Sequence, residues 1–208
     1  MTTHAQEMTA GHVHTDPVGS KTGMWLFLFT EIRRFGGLFI IYAVYRGMYS
    51  AEFHHAAGEL NKVMGVTNTI VLLTSSLTMV LSVSNLQRRN VGLSQLYLMI
   101  TMLLAGAFMI IKLYEWSIKI NHGIFPGMEH LHSLPAGEGL FFNLYFMMTG
   151  LHGIHVLIGV GIMIYIMTRM QNGTITAENQ GILEYTGLYW HLVDLIWVFL
   201  LPLFYLTN

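Results

Sequence analysis

Residues Gln95–Ile118 read QLYLMITMLLAGAFMIIKLYEWSI, and from Gln95 to Ile111 the run holds no charged side chain. The hydrocarbon core of a bilayer is about 30 Å thick, and a helix rising 1.5 Å per residue crosses it with about 20 apolar residues. This stretch is long enough. Water is absent from that core, so the backbone must bond itself and the segment must be a helix. Outward from it, four further stretches of similar length and character lie at about Met24–Tyr45, Val66–Leu86, Gly139–Thr168 and Leu188–Leu206. The expectation is an all-α protein: an integral membrane bundle of five transmembrane helices, one domain over 24–208, preceded by a solvated tail over 1–23.

Composition agrees. Of the 208 residues 53% are hydrophobic and only 10% charged, against about a quarter charged in a soluble domain, and the mean hydropathy is +0.53. The chain has no cysteine, which excludes disulfides, thiolate metal sites and cysteine-held iron-sulfur clusters. A formal net charge of -1 shows no basic excess, so nucleic acid is not an expected partner. The tail carries His4, His12, His14, Asp16, Pro17 and Lys21 but no apolar stretch of the kind a secretory signal needs; it reads as unliganded. Pro126, Gly127 and Pro135 mark Ile120–Pro135 as the only sizeable piece outside the membrane. With alternating helices, Lys21, Arg88, Arg89 and Arg169 fall on the N-terminal side and Arg46, Lys62 and Lys119 on the other, which places the N-terminus in the cytoplasm and the C-terminus outside.

Ionisable groups at membrane depth are costly, so they face a bundle interior, a partner or water. Several here are spaced i, i+3, on one helix face: Glu31 with Arg34, Lys112 with Glu115, His152 with His155, His191 with Asp194. Lys112 and Glu115 read as an intramembrane ion pair near a helix end, where long side chains can snorkel. Gly150, Gly153, Gly159 and Gly161 flanking His152 and His155 read as a close helix contact in which a histidine bonds across the interface. Trp190 and Trp197 suit a lipid or subunit contact. Glu31 and Asp194 come out at similar depth and are expected to line one inner cavity; with His191 they are the proton-linked or structural candidates. Histidines on two helices also raise the possibility of haem held in a b-type membrane anchor, but on these helix limits His155 lies about 20 Å and His191 about 5 Å from the inner ends of their helices, which disfavours a shared iron.

Two strings carry a family resemblance. Tyr189-Trp190-His191-Leu192-Val193-Asp194-Leu195-Ile196-Trp197, continuing through Val198, Phe199 and Leu200, and Thr149-Gly150-Leu151-His152-Gly153-Ile154-His155-Val156, resemble the terminal-helix motif and the Thr-Gly-x-His-Gly-x-His-Val signature of subunit III of the haem-copper oxidases, which include cytochrome c oxidase and bo-type quinol oxidases. Tyr114, Glu115 and Trp116 are similar to the end of that family's third helix in its short forms. Thr30 and Glu31 before Phe35 and Gly36 fall where the family carries a membrane-embedded, carbodiimide-reactive glutamate. Five helices suit the short bacterial forms.

The resemblance implies a non-redox accessory subunit of a terminal oxidase in the bacterial cytoplasmic membrane, flanking catalytic subunit I and other oxidase subunits, binding phospholipid, and supporting proton uptake and oxygen access. It implies no catalytic residue and no metal ligand in this chain, with haem and copper in partner subunits; a homologue serving a nitric oxide reductase is the alternative. The chain departs from the family at Arg33 and Arg34, where apolar residues are usual. Adjacent helical residues point about 100° apart, so only Arg34 stays on the Glu31 face, and Arg33 needs another partner: a lipid phosphate or a neighbouring subunit.

Overall fold

The computed structural model describes residues 17–128, 131 and 133–206; the expectations placed on 1–16, including the three histidines, lie outside them. Six helices are formed: α1 (Pro17–Met48), α2 (Ser50–Gly58), α3 (Lys62–Gln87), α4 (Val91–Asn121), α5 (Ala136–Gln171) and α6 (Gly181–Tyr205). Four of them, α3 to α6, are long and apolar enough to cross a membrane. The expected count of five is therefore not met on apolarity alone: α1 has 32 residues, but Glu31, Arg33 and Arg34 interrupt its middle.

Side chains are distributed as lipid demands rather than as water does. Leu103 and Ile110 on α4 are 66% and 69% exposed, while Asn68, Ser75, Ser82, Thr101 and Lys112 are buried. Apolar groups gain nothing by leaving lipid, so helices associate through small residues, packing and interhelical hydrogen bonds. The α3–α4 hairpin is joined in this way, with Thr78 and Thr101 hydroxyls 2.7 Å apart and the Ser82 hydroxyl donating to the Ser94 carbonyl at 2.8 Å.

The helices run past the apolar segments because polar caps close them. Asn61 Oδ1 accepts from the Val63 and Met64 N–H groups at 3.0 and 3.3 Å, and Asn90 Oδ1 from Leu93 N–H at 3.3 Å, satisfying donors that a helix start leaves open. Gly123 and Gly173, at φ 75° and 69°, end α4 and α5 in the left-handed conformation that glycine adopts without strain. The largest differences from expectation are at α1, which begins at Pro17 inside the supposed tail, and α6, which begins at Gly181 rather than Leu188. Between α1 and α3 a short helix, α2, stands where only a connection was expected. Its Phe53, Ala56 and Ala57 are buried, spaced three and four apart on one face, and Phe53 joins Tyr42, Phe141 and Phe204 in an aromatic cluster with centroids 5.1 to 6.4 Å apart.

The centre of the bundle is α6, which packs on α1, α2, α3 and α5. Trp190 and Trp197 are fully buried there, so the expected lipid or subunit contact for them is corrected to internal packing. Each indole N–H is satisfied on α3: Trp190 Nε1 donates to Ser75 Oγ and Trp197 Nε1 to Thr69 Oγ1, both at 3.1 Å. Their seats require small residues opposite. At Gly159 an added Cβ would stand 2.8 Å from the Trp190 ring and 3.2 Å from Tyr189, whereas at Gly150 and Gly153 it would meet ordinary contacts of 3.6 and 3.7 Å. Of the four glycines expected to make the close approach, Gly159 makes it, while Gly150 and Gly153 have room and Gly161 faces open space. Gly159→Ala should destabilise the detergent-solubilised protein by about 1–3 kcal/mol, the usual cost of overpacking, whereas Gly161→Ala, with open space around the new methyl, should leave the thermal midpoint unchanged; equal midpoints for the two variants would contradict this packing.

Candidate functional site

Two buried polar clusters occupy the membrane-depth part of the bundle. In the first, Glu31 of α1 reaches across to α5, where its Oε2 lies 2.9 Å from His155 Nε2, and its Oε1 lies 3.3 Å from Arg34. The opposite ring nitrogen of His155 lies 2.7 Å from the Leu151 carbonyl oxygen. A carbonyl only accepts, so Nδ1 carries a proton. The Nε2–Oε2 contact therefore holds one further proton, on the imidazole as a cation or on the carboxyl as an acid. Tyr189 of α6 donates to the His155 carbonyl at 2.9 Å and the Phe35 ring stands edge-on to the imidazole at 5.6 Å, which fixes its orientation.

In the second cluster the Lys112 ammonium donates to Glu115 at 3.1 Å and to the Tyr145 and Tyr205 hydroxyls at 2.8 Å each, using its three protons. Tyr205 in turn donates to the Glu115 carboxylate, with its hydroxyl 2.7 and 2.9 Å from the two oxygens. The ammonium also faces the rings of Tyr145, Trp197 and Tyr205 at 4.5 to 5.4 Å, a cation–π contribution that strengthens when water is excluded. The pair does not snorkel; both side chains are buried among α4, α5 and α6.

The family model described as Cytochrome c oxidase subunit III matches residues 3–208. The chain belongs to the cytochrome c oxidase subunit III family. It is 30% identical over 192 residues to Cytochrome c oxidase subunit 3 of Alkalihalophilus pseudofirmus, covering 89% of this chain and 85% of the relative. With Cytochrome bo(3) ubiquinol oxidase subunit 3 of Pseudomonas aeruginosa it shares 29% over 214 residues, 98% of this chain and 93% of the relative. A third relative, Heme-copper oxidase subunit I+III of Aeropyrum pernix, is 28% identical over 194 residues, 90% of this chain but only 22% of that longer protein. Subunit III membership and four apolar helices make this a multi-pass membrane protein of the haem-copper oxidase group.

Within this family member the remaining site candidates fall apart into separate environments. His152 bonds to no described residue; it is held between the Phe108 and Trp197 rings at 5.5 and 5.2 Å, so of these two α5 histidines it is His155 that bonds to another helix. His191 and Asp194 do not bond each other. The His191 Nδ1 lies 2.6 Å from Ser76 Oγ, and the buried Asp194 carboxylate has no hydrogen bond among the described residues. Glu31 closes onto α5 and Asp194 faces α3, which corrects the single cavity expected for them. The depth arithmetic also changes, because α6 starts at Gly181: His191 lies about 15 Å from its helix start rather than about 5 Å.

Arg33 is exposed, and no described residue bonds it. Arg34 is 56% exposed at its side chain while the Glu31 it pairs with is 6% exposed. An unpaired arginine at the centre of a membrane helix costs about 2.5–3.5 kcal/mol on insertion scales, a cost Arg33 would carry wherever α1 lies at membrane depth.

Outside the apolar belt, Glu138 in the first turn of α5 lies 3.0 Å from His55 Nδ1, Glu59 lies 3.3 Å from Lys119, and Glu52 accepts from the Gly137 N–H. Ligand atoms of His55, Glu59 and Glu138 lie within 4.8 Å of one another, a spacing a metal ion could use but that two ion pairs already satisfy. On the opposite side Arg89 and the loop carboxylate of Glu178 stand 3.0 Å apart; the Thr176 hydroxyl, then its own backbone and Arg89, hold that carboxyl below its usual range. Sequence reading missed Tyr145, Tyr205 and Ser76; for the tyrosines, an aromatic hydroxyl within an apolar helix, which must find a partner when buried, was the available signal. Lys112→Met should cost about 3–5 kcal/mol, the usual effect of leaving one charge of a buried pair behind, and adding Glu115→Leu to it should recover much of that loss; a double variant less stable than Lys112→Met would refute the pairing as the source.

Proposed function

We propose that this chain is the non-redox accessory subunit of a haem-copper terminal oxidase, seated beside catalytic subunit I in a bacterial cytoplasmic membrane. Haem and copper belong to the partner chains, and the role of this one is to support the catalytic subunit, its phospholipid surroundings, and proton uptake and oxygen access. The observation that carries the non-redox reading is the commitment of His155. One ring nitrogen bonds the Leu151 carbonyl and the other Glu31, so neither is free for iron, while His152 has aromatic rings on two sides where a macrocycle would have to lie.

In this reading α1 is the fifth crossing. Its central carboxylate is answered by Arg34 on its own helix and His155 on α5, which removes one obstacle to this helix of 32 residues lying at membrane depth. The N-terminus is then cytoplasmic and the C-terminus outside, with α2 capping the outer end of α1. A cleft of about 460 Å³ between α1 and the α3–α6 pair, lined by Met24, Trp25, Val80, Leu188 and His191 with Lys21 and Glu184 among its polar groups, has the amphipathic lining that suits a phospholipid. The single proton between Glu31 and His155 makes this pair the candidate proton-linked element.

The intact complex should show haem absorbance in companion chains while this chain, separated from them, should be colourless; a visible band that stays with it would end the non-redox reading. Glu31→Gln should lower oxygen-consuming turnover, increasingly so as pH rises and protons become scarce, with the visible spectrum unchanged. An unaltered pH profile would remove Glu31 from proton supply.

A further inference from the structure

The outer face of α1 carries more than lipid would ask of it. Glu31 pairs with His155, and both lie near the midpoints of helices spanning 17–48 and 136–171, so the two elements set the same depth for Arg33 and Arg34. From Arg33 either end of α1 is more than about 20 Å away at 1.5 Å per residue. Headgroup phosphates lie about 15 Å from the midplane of a core about 30 Å thick, out of reach for a side chain at that level unless the bilayer thins around it. The cation therefore needs a partner inside the hydrocarbon layer, and the one described carboxylate beside it, Glu31, is already shared between Arg34 and His155.

The surface around the pair has the shape of a helix seat. Arg34, Gly37, Leu38 and Ile41 on α1 and Met147, Leu151 and Ile154 on α5 line an apolar groove of about 520 Å³. The spacings are three and four on both helices, the rows into which another helix's side chains fit. Gly36 and Gly37 have open space where a Cβ would stand, and small residues are what allow a second backbone close approach in lipid. Phe29, Ile40 and Val44 continue the exposed apolar surface on the Arg33 side.

We propose that the exposed side of α1, from this groove round to Arg33, seats a transmembrane helix of a different chain, one that carries a carboxylate near its midpoint to pair with Arg33. This rests on the accessory-subunit reading above for the existence of a membrane-embedded neighbour, and adds which face meets it and what charge it must present. A second copy of this chain is the weaker occupant, since its own α1 would bring like charges together at that depth.

The test uses the complex as it assembles in the membrane, purified through a tag on this chain, with companion chains and bound lipids identified by mass spectrometry. Arg33→Glu should abolish retention of the neighbouring membrane chain, Arg33→Leu should reduce it roughly thirtyfold or more, as expected for truncating one partner of a buried charge pair, and Arg33→Lys should retain more than Arg33→Leu. Retention unchanged in Arg33→Glu would overturn the proposal, as would loss of anionic lipid from that variant with the neighbour still bound. Should Arg33→Glu fail to accumulate, a photo-cross-linking residue replacing Ile41 in otherwise wild-type protein decides: a link to another membrane chain supports the proposal, and links only to lipid or to a second copy refute it. A wild-type chain that brings down no oxidase subunit would instead refute the accessory-subunit reading, with the cross-link still deciding whether this face meets a different protein.

Discussion

The bilayer interior offers a charged or hydrogen-bonding group no water, so each such group must be answered by another part of the protein. In this chain the answers come mainly from other helices, and that is what holds the bundle in one arrangement. Glu31 ties α1 to α5 through His155. Lys112 ties α4 to α5 and α6 through Tyr145 and Tyr205. The two indoles of α6 and its His191 are answered by Thr69, Ser75 and Ser76, all on α3. Leucine against lipid and leucine against leucine differ little in energy, so the apolar surface would tolerate many packings, and these bonds select one.

The selection is uneven along the chain. The α3–α4 hairpin, α5 and α6 form a dense unit in which aromatic rings of α6 interlock with small residues such as Gly159 of α5 and Gly65 of α3, and a side chain added there forces a ring to shift. By contrast α1 touches only α2, α5 and α6, and its attachment relies on Glu31, Tyr42 and Phe35. Tyr42 anchors the C-terminal half by donating to the Leu203 carbonyl near the end of α6. A helix held by a few strong points, with an open groove on one side and a cleft on the other, is shaped to share its surface with something else.

Much of this was legible in the residues. Length and apolarity located α3 to α6, and the spacing of three disclosed the Glu31–Arg34 and Lys112–Glu115 pairs, because neighbours on one helix face are a local property. Partners on other helices were not legible: His155 lies 124 residues from Glu31, and Tyr205 lies 90 from Glu115, and nothing in the local pattern says which faces meet. The limits of α6 were misread for a physical reason. Its first turns carry Glu184 and the small or polar residues Gly181, Thr186 and Gly187, which lower the hydropathy although the backbone stays helical in the interfacial layer. That shift of seven residues moved the inferred depth of His191, and with it the argument about haem. The tryptophans were assigned to a surface because indoles favour membrane interfaces; here paired hydroxyls on α3 satisfy their N–H groups and permit burial.

Glu31 has one partner facing inward and one facing outward, and this has a consequence for how the site and the surface relate. His155 competes with Arg34 for the same carboxylate. When the shared proton rests on His155, Glu31 is an anion and holds Arg34 against α1; when it rests on Glu31, that attraction falls and Arg34 is freer to offer its donors outward. A carboxylate brought to the α1 face by a neighbouring helix would pull in the same direction. Linkage requires the effect to run both ways: whatever draws Arg34 outward weakens its hold on Glu31 and leaves that carboxylate more dependent on His155, so a neighbour seated on this groove would act on a contact it never touches.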